Sequence, residues 1–256
     1  MKVLVITQAR LGSSRLPGKI LLPVNGKPLL SVHMDRILQA KLYDKCIVAT
    51  TDSENDNQLV EFLTSNNISY FRGSESNVLD RFYKAACLYY PEYIMRLTSD
   101  CPLIDPVLID EMIRIALLNQ YDYISNTLDL SFPDGQDIEI FTFSALQKAW
   151  KEAKLLSEKE HVTPFIWKNS SYKGGKLFSS FNYKNEKNYS SVRMTLDEQA
   201  DYLVISELIN ALGENTGWQD YAAYYTTHPE ISSLNLKFER NEGYTKSELT
   251  DKKLSI

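Results

Sequence analysis

Val3-Leu4-Val5-Ile6-Thr7-Gln8-Ala9-Arg10-Leu11-Gly12-Ser13-Ser14-Arg15-Leu16-Pro17-Gly18-Lys19 begins as a β-strand and continues as a small cationic loop. The apolar run Val3–Ile6 suits a buried strand over about 3–7. The loop therefore stands at a strand's carboxyl end, the edge where open α/β sheets bind ligands. Arg10, Arg15 and Lys19 place three cations within ten residues of a chain whose formal net charge is −5. Gly12, Ser13 and Ser14 are small, so backbone N–H groups there can approach an anion closely. Arginine offers forked donors to phosphate oxygens and lysine a point charge. Together the three nearly balance a nucleoside triphosphate of roughly −4. The plain alternative is a solvated basic loop. The density of Gly, Ser and Arg at a strand end favours the phosphate cradle.

The loop is neither of the two common phosphate motifs. A Walker A loop needs four residues between its glycines and Ser or Thr after its lysine. Here five residues separate Gly12 from Gly18, and Ile20 follows Lys19. No Gly-x-Gly-x-x-Gly fingerprint is present.

Working outward, strands read at about 3–7, 45–50, 68–71, 93–98 and 121–125, with helical periods between them. Pro28 suits the first turn of a helix to about Ala40, Ser53 the cap of one to about Asn66, and Asp105-Pro106 a capped start. Ser144 to Gln147 has capping-box spacing. Strand–helix alternation implies crossovers, hence an α/β fold with a mainly parallel sheet covered on both faces. From about 130 the rhythm changes. Gln136–Phe143 alternates like an exposed strand, helices read at 145–156 and 158–167, and another strand at 177–182. This predicts an inserted cap over 130–182, a return through a strand at Ser191–Thr195, and a helix from Glu198 to Leu212. One domain is expected over 1–233, with a polar tail over 234–256.

The chain has 256 residues, 43% hydrophobic and 24% charged, which is enough for one large core without disulfide or metal support. The acidic balance argues against nucleic acid as the main partner. The longest apolar run, Ala85–Tyr90, falls far short of the roughly 20 residues of a membrane span, and the first residues are too polar for a signal peptide. Three cysteines without CxxC spacing and three scattered histidines speak for a reducing, cytoplasmic setting and against zinc.

The loop Ala9-Arg10-x-Gly12-Ser13-x-Arg15-Leu16-Pro17-Gly18-Lys19 resembles the signature of the CMP-sugar cytidylyltransferases, which activate sialic acid-like sugars and 3-deoxy-manno-octulosonate. The remainder resembles the spore-coat polysaccharide branch. It does so through Val78-Leu79-Asp80-Arg81-Phe82, Arg96 to Asp105, Pro133-x-Gly135-x-Asp137-x-Glu139, Glu160-His161-Val162-Thr163-Pro164, Arg193-x-Thr195-x-Asp197 and Asn241-Glu242-Gly243-Tyr244, in that order. The resemblance implies a Rossmann-like nucleotide-diphospho-sugar transferase fold with a small inserted subregion. It implies transfer of CMP from CTP to a sugar or sugar-acid-like acceptor, with Mg²⁺, and a homodimer for which residues 136–182 are the expected surface. It places the nucleotide on Ala9, Arg10, Gly12, Ser13, Ser14, Arg15 and Lys19, with Arg15, Lys19 and Asp100 in catalysis.

Asp100 ends an apolar strand and should face the loop's ligand, where a carboxylate with phosphate oxygens suits Mg²⁺; the alternative is a turn cap before Pro102. The family's second metal carboxylate matches Asp197, with Asp201 one helical turn on as a lesser match. Asp197 also suits the cap of the helix that follows. Asp137 and Glu139 share a strand face and, with Gln136, suit acceptor hydroxyls or amines; an exposed strand face is the alternative. Arg81 and Arg96 suit acceptor charge or phosphate, or ion pairs with Asp80 and Asp100. Glu160 suits substrate, or closes a capping box with Ser157. His161 reads as a packed histidine before a base. Two other classes share parts of this pattern. A metal-dependent glycosyltransferase usually shows Asp-x-Asp, absent here. A nucleotide-sensing module would keep the loop without needing Asp100 and Asp197.

Overall fold

A computed structural model of the chain describes residues 1–254. In chain order the elements are β1 (Val3–Gln8), β2 (Pro23–Val24), β3 (Lys27–Pro28), α1 (Leu29–Gln39), β4 (Lys45–Thr51), α2 (Asn57–Ser65), β5 (Tyr70–Gly73), α3 (Val78–Cys87), β6 (Tyr93–Thr98), α4 (Pro106–Asn119), β7 (Tyr123–Ser125), β8 (Glu139–Thr142), α5 (Phe143–Glu152), α6 (Leu156–His161), α7 (Pro164–Lys168), β9 (Ser180–Asn182), α8 (Gln199–Leu212), α9 (Trp218–Thr227), α10 (Pro229–Ser232) and α11 (Glu242–Leu254). Among the described residues no helix is long and apolar enough to cross a membrane.

The seven-stranded sheet runs β5-β4-β1-β6-β8-β7-β9. All neighbours pair in parallel except β8, which is antiparallel to both β6 and β7. The α/β fold with a mainly parallel sheet is thus what the strand–helix alternation requires. Alternation along β1 sorts the helices into two layers. Val3 and Val5 face a core shared with α1, α4, α8 and α9, while Leu4 and Ile6 face one shared with α3 and α5. All four side chains have no exposure, each worth about 2 kcal/mol of burial. Central parallel strands covered on both faces read as unbroken apolar runs for this reason.

Several boundaries differ from the sequence reading, each for a local reason. Residues 136–143 are not an exposed strand. β8 lies inside the sheet, and its Glu139 stands opposite Arg96 of β6, so the charge is buried as a pair. Within that segment Ile138, Ile140 and Phe141 are fully buried. Residues 191–195 do not form a strand; Arg193 makes only an isolated bridge with Asp134. The helix expected over 158–167 breaks at Val162, whose φ of 70° is outside the range a β-branched residue prefers. Thr142, not Ser144, caps α5 by accepting the Ala145 N–H. Ser157 is not a cap either: Asp251 of α11 accepts from the Leu156 and Ser157 N–H groups. Asp105 does cap α4 as expected, accepting from Val107 at 2.8 Å. The tail expected over 234–256 contains α11, docked against α6; its last two residues lie outside the described ones.

Two contacts place the site's backbone. His33 of α1 is fully buried, with Nδ1 at 2.9 Å from the Cys101 carbonyl and Nε2 at 2.8 Å from the Thr7 hydroxyl. It ties α1 to β1 and to the turn after β6. Gly135 has φ of 104°, and a Cβ there would meet the Met194 carbonyl carbon at 2.6 Å. Only glycine lets the 133–137 turn lie against the 191–196 segment.

Burial, against the Cys101 hydrogen bond and the Asp100 charge, lowers the His33 pKa to about 4. The unfolded chain then binds a proton near 6.5 that the folded chain refuses. Stability should fall as pH drops from 6.5 to 4, by up to about 3 kcal/mol. A thermal-melt series across this window checks it, and His33→Asn should flatten the slope. Gly135→Ala should cost about 3 kcal/mol or more in denaturant unfolding, because the backbone it strikes cannot yield cheaply.

Candidate active site

The cationic loop is anchored at both ends before it reaches any ligand. Ala9 continues the β1–β4 ladder through its N–H to the Ala49 carbonyl at 3.2 Å. The Leu11 N–H donates to Asp56 Oδ1 at 2.7 Å, and the buried Asp56 also accepts from the Thr50 and Thr51 hydroxyls. Asp56 gave no signal in the sequence, where it reads as part of an ordinary helix start. The Gly18 N–H closes the loop on the Leu11 carbonyl at 3.0 Å. Gly18 itself has φ of 67°, a conformation glycine adopts freely, and it turns the chain into a short 3₁₀ turn over Lys19–Leu21. Lys19 thereby dips into the cleft, its side chain only 11% exposed. Arg10 stays at the rim, 3.7 Å from Glu75. Gly12, Ser13 and Ser14 form the intervening bend, where Ser13 Oγ accepts from the Leu16 N–H at 3.4 Å.

Asp100 follows β6 and Asp197 follows the 191–196 segment. The two are stitched together by the backbone: Leu196 N–H donates to the Asp100 carbonyl at 2.7 Å, and the Thr195 hydroxyl to the same oxygen at 3.2 Å. Both carboxylates turn toward Lys19, whose Nζ is 3.3 Å from Asp100 Oδ2 and 2.8 Å from Asp197 Oδ1. Arg15 reaches Asp197 Oδ1 at 2.9 Å and, more loosely, Glu198 and Glu242. Burial pulls the Lys19 ammonium down, but Asp100 and Asp197 outweigh it, so its pKa is raised. Burial likewise works against the Asp100 carboxylate, yet Lys19, the Thr98 hydrogen bond and Arg96 hold it below the ordinary value.

Asp201 does not face this cleft. It has no exposure, and both oxygens are engaged by the Arg193 guanidinium at 2.9 Å. Its Oδ2 also accepts from the Asp197 and Glu198 N–H groups at 3.0 and 2.9 Å. Asp201 therefore takes the capping role at the start of α8, and the Asp197 carboxylate is left free to point at Lys19. Asn235 and Tyr225 complete the support behind it. Arg193 forks onward to Asp134 Oδ2 at 2.9 Å. Burial and the neighbouring Asp137 charge push Asp134 up to about 7 against Arg240 and Arg193.

The cleft has two compartments that meet at Asp100 and Asp197. The loop side encloses about 710 Å³ and is lined by Arg10, Ser13, Ser14, Lys19 and Arg81. The other side encloses about 470 Å³ and is lined by Arg96, Asp137, Glu139, Trp167, Tyr172 and Tyr244. The residues expected on the acceptor divide accordingly. Asp137 and Glu139 line the second compartment, though each is already paired, with Arg240 and Arg96. Glu139 also accepts from the Tyr123 and Thr163 hydroxyls, both at 2.5 Å. Gln136 lines neither. It is fully buried, accepts from the Asp105 N–H at 2.9 Å and donates to the Leu103 carbonyl at 2.8 Å, so it pins the backbone and does not reach an acceptor. Arg81 and Glu160 line the loop side. Arg81 is 2% exposed and donates to the Ser74 carbonyl, while its Nε has no partner among the described residues. Burial and the nearby Arg10 lower its pKa to about 10. Glu160 accepts from Ser247 at 2.7 Å. His161, read as a packed residue, lies where the compartments join, its Nε2 3.1 Å from Ser247 Oγ and its ring edge-on to Tyr244.

Chemically, the loop side offers cations and backbone N–H groups, and the junction offers two carboxylates from separate segments. That hard oxygen pair fits a divalent cation such as Mg²⁺. No group of three or more His, Cys, Asp or Glu side chains able to hold a metal occurs among the described residues. A cation here must take its remaining ligands from phosphate and water, as Mg²⁺ does in nucleotide sites.

The chain as a whole has counterparts among known proteins. The cytidylyltransferase family matches residues 4–229. The uncharacterized protein MJ1063 of Methanocaldococcus jannaschii is 38% identical over 239 residues, covering 92% of this chain and 95% of that protein. The spore coat polysaccharide biosynthesis protein SpsF of Bacillus subtilis is 34% identical over 217 residues, 83% of this chain and 88% of that protein. The structure of a cytidylyltransferase from Leptospira borgpetersenii superposes with a TM-score of 0.85 at 34% identity, over 93% of this chain and all of that one (100%). With a family match across most of its length and relatives aligned nearly end to end, this chain belongs to the cytidylyltransferases, the CTP-dependent nucleotidyltransferases.

Proposed function

We propose that the protein transfers CMP from CTP to a hydroxyl of a sugar-acid-like acceptor in the synthesis of a surface polysaccharide precursor. The observation that carries this reading is the position of Asp100 and Asp197 at the junction of the two compartments, with Lys19 of the loop side bonded to both. The triphosphate would lie along the loop, with backbone N–H groups near Gly12 to Ser14 and the cations Arg10, Arg15 and Lys19 around its phosphates. The acceptor would lie in the second compartment, where Trp167, Tyr172 and Tyr244 offer apolar ring faces and Asp137 and Glu139 offer hydrogen-bond acceptors. Its oxygen would meet the α-phosphate at the junction. The bond from that oxygen to the α-phosphorus forms, the bond from the α-phosphorus to the bridging oxygen breaks, pyrophosphate departs, and the hydroxyl proton passes to solvent. Mg²⁺ held by Asp100 and Asp197 would neutralise charge on the phosphates. Lys19 and Arg15 would stabilise the charge developing on pyrophosphate. Positioning and charge stabilisation are what such displacements need, with no covalent protein intermediate. The relative named for spore coat polysaccharide biosynthesis supports the pathway assignment.

The test is pyrophosphate release from four nucleoside triphosphates against sugar acids, sugar phosphates and small phosphorylated acceptors. CTP with a sugar acid should be the productive pair. Silence with CTP across the whole panel, or sugar transfer from a nucleotide-sugar without triphosphate consumption, would sink the reading. Asp100→Asn should lower turnover about a thousandfold while shifting the melting temperature by no more than a few degrees. Wild-type turnover in that variant would remove Asp100 from the chemistry.

A further inference from the structure

Lys19 occupies the position between the two junction carboxylates. A single ammonium nitrogen is 2.8 Å from Asp197 and 3.3 Å from Asp100, and the same Asp197 oxygen takes Arg15 at 2.9 Å. Mg²⁺ sits at about 2.0–2.1 Å from its oxygens. It cannot share this gap with the ammonium in place. Both oxygens that face the gap, Asp100 Oδ2 and Asp197 Oδ1, are already engaged by cations, so a bare dication entering here would have to displace Lys19 and Arg15 first. A triphosphate changes both conditions, because its oxygens offer Lys19 and Arg15 new partners.

The lysine is built to make that exchange. Its backbone is held by the Gly18 bend and by the Leu22 N–H on the Lys19 carbonyl at 3.2 Å, and its neighbour Ile20 is 1% exposed. Its four-carbon stem can redirect the ammonium without moving that backbone. We propose that Lys19 is a resident counter-cation that keeps the Asp100–Asp197 metal site closed in the free protein and opens it by moving onto the incoming triphosphate. The divalent cation then loads with the nucleotide and not before it. This inference rests on the assignment of Asp100 and Asp197 as the carboxylates facing the triphosphate.

Mn²⁺ is the probe, followed by the electron paramagnetic resonance of the free ion, on the full chain without acceptor. The wild type should bind Mn²⁺ at least about tenfold more tightly with CTP than without it. Lys19→Met should raise the nucleotide-free Mn²⁺ affinity about tenfold, and adding Asp197→Asn to it should abolish the gain. Lys19→Gln is the second variant should the methionine disturb folding, which melting curves report. The inference is overturned if the wild type binds Mn²⁺ equally well with and without CTP, or if a folded Lys19 variant gains nothing. A wild type that binds CTP but never retains Mn²⁺ with it refutes the metal assignment under Proposed function, and this inference with it. Nucleotide-dependent Mn²⁺ binding without a gain in the variants refutes this inference alone.

Discussion

The Lys19 ammonium between Asp100 and Asp197 is the constraint on which the site depends. Three charges come from a loop after β1, a turn after β6 and the segment before α8. Two carboxylates held this close repel each other unless a cation stands between them. In the free protein the cation is a side chain; under the proposal above, the same geometry would accept a metal once that side chain finds other anions. The site is therefore preorganised at low electrostatic cost, which is what a reaction relying on positioned charge requires.

Behind this cluster lies a second layer of charge with a different task. Arg193 joins Asp134 and Asp201, and Arg240 joins Asp137. Buried ion pairs contribute little net stability, because desolvation offsets their attraction, but breaking one is costly. Their effect here is geometric. Asp201 holds the Asp197 and Glu198 N–H groups, so the direction of the Asp197 carboxylate is set by a fully buried residue behind the cleft wall. Gln136 does similar work on the other wall by satisfying the backbone at Leu103 and Asp105.

The C-terminal segment belongs to the same construction, although the family match ends at residue 229. Tyr244 packs against His161 and Trp167, and Glu248 pairs with Lys168. Asp251 supplies the cap that α6 lacks in its own sequence. Tyr244 thus lines a compartment whose floor comes from the sheet, and Ser247 and Asp251 of α11 make polar contacts with α6.

Much of the frame was legible in local pattern. An apolar run followed by a glycine- and arginine-rich bend announced β1 and its ligand edge, and Asp105-Pro106 announced α4, because capping and strand-end chemistry act within a few residues. β8 was misread because Glu139 looks like a solvent-facing residue until its partner Arg96 is known, 43 positions away. Gln136 was misread because an amide suits a ligand and a buried backbone equally. Arg240 and Asp56 carried no local mark at all. Composition and short spacing thus marked the cationic loop, the sheet it stands on and Asp100 at a strand end, while Asp197 was marked by the family resemblance. Which carboxylate would face the cleft and which would be buried behind it was decided only by tertiary structure. Asp197 and Asp201 are chemically identical, and their roles diverge because Arg193 clasps both oxygens of Asp201 with Asn235 behind it, while Lys19 and Arg15 hold Asp197 toward the cleft.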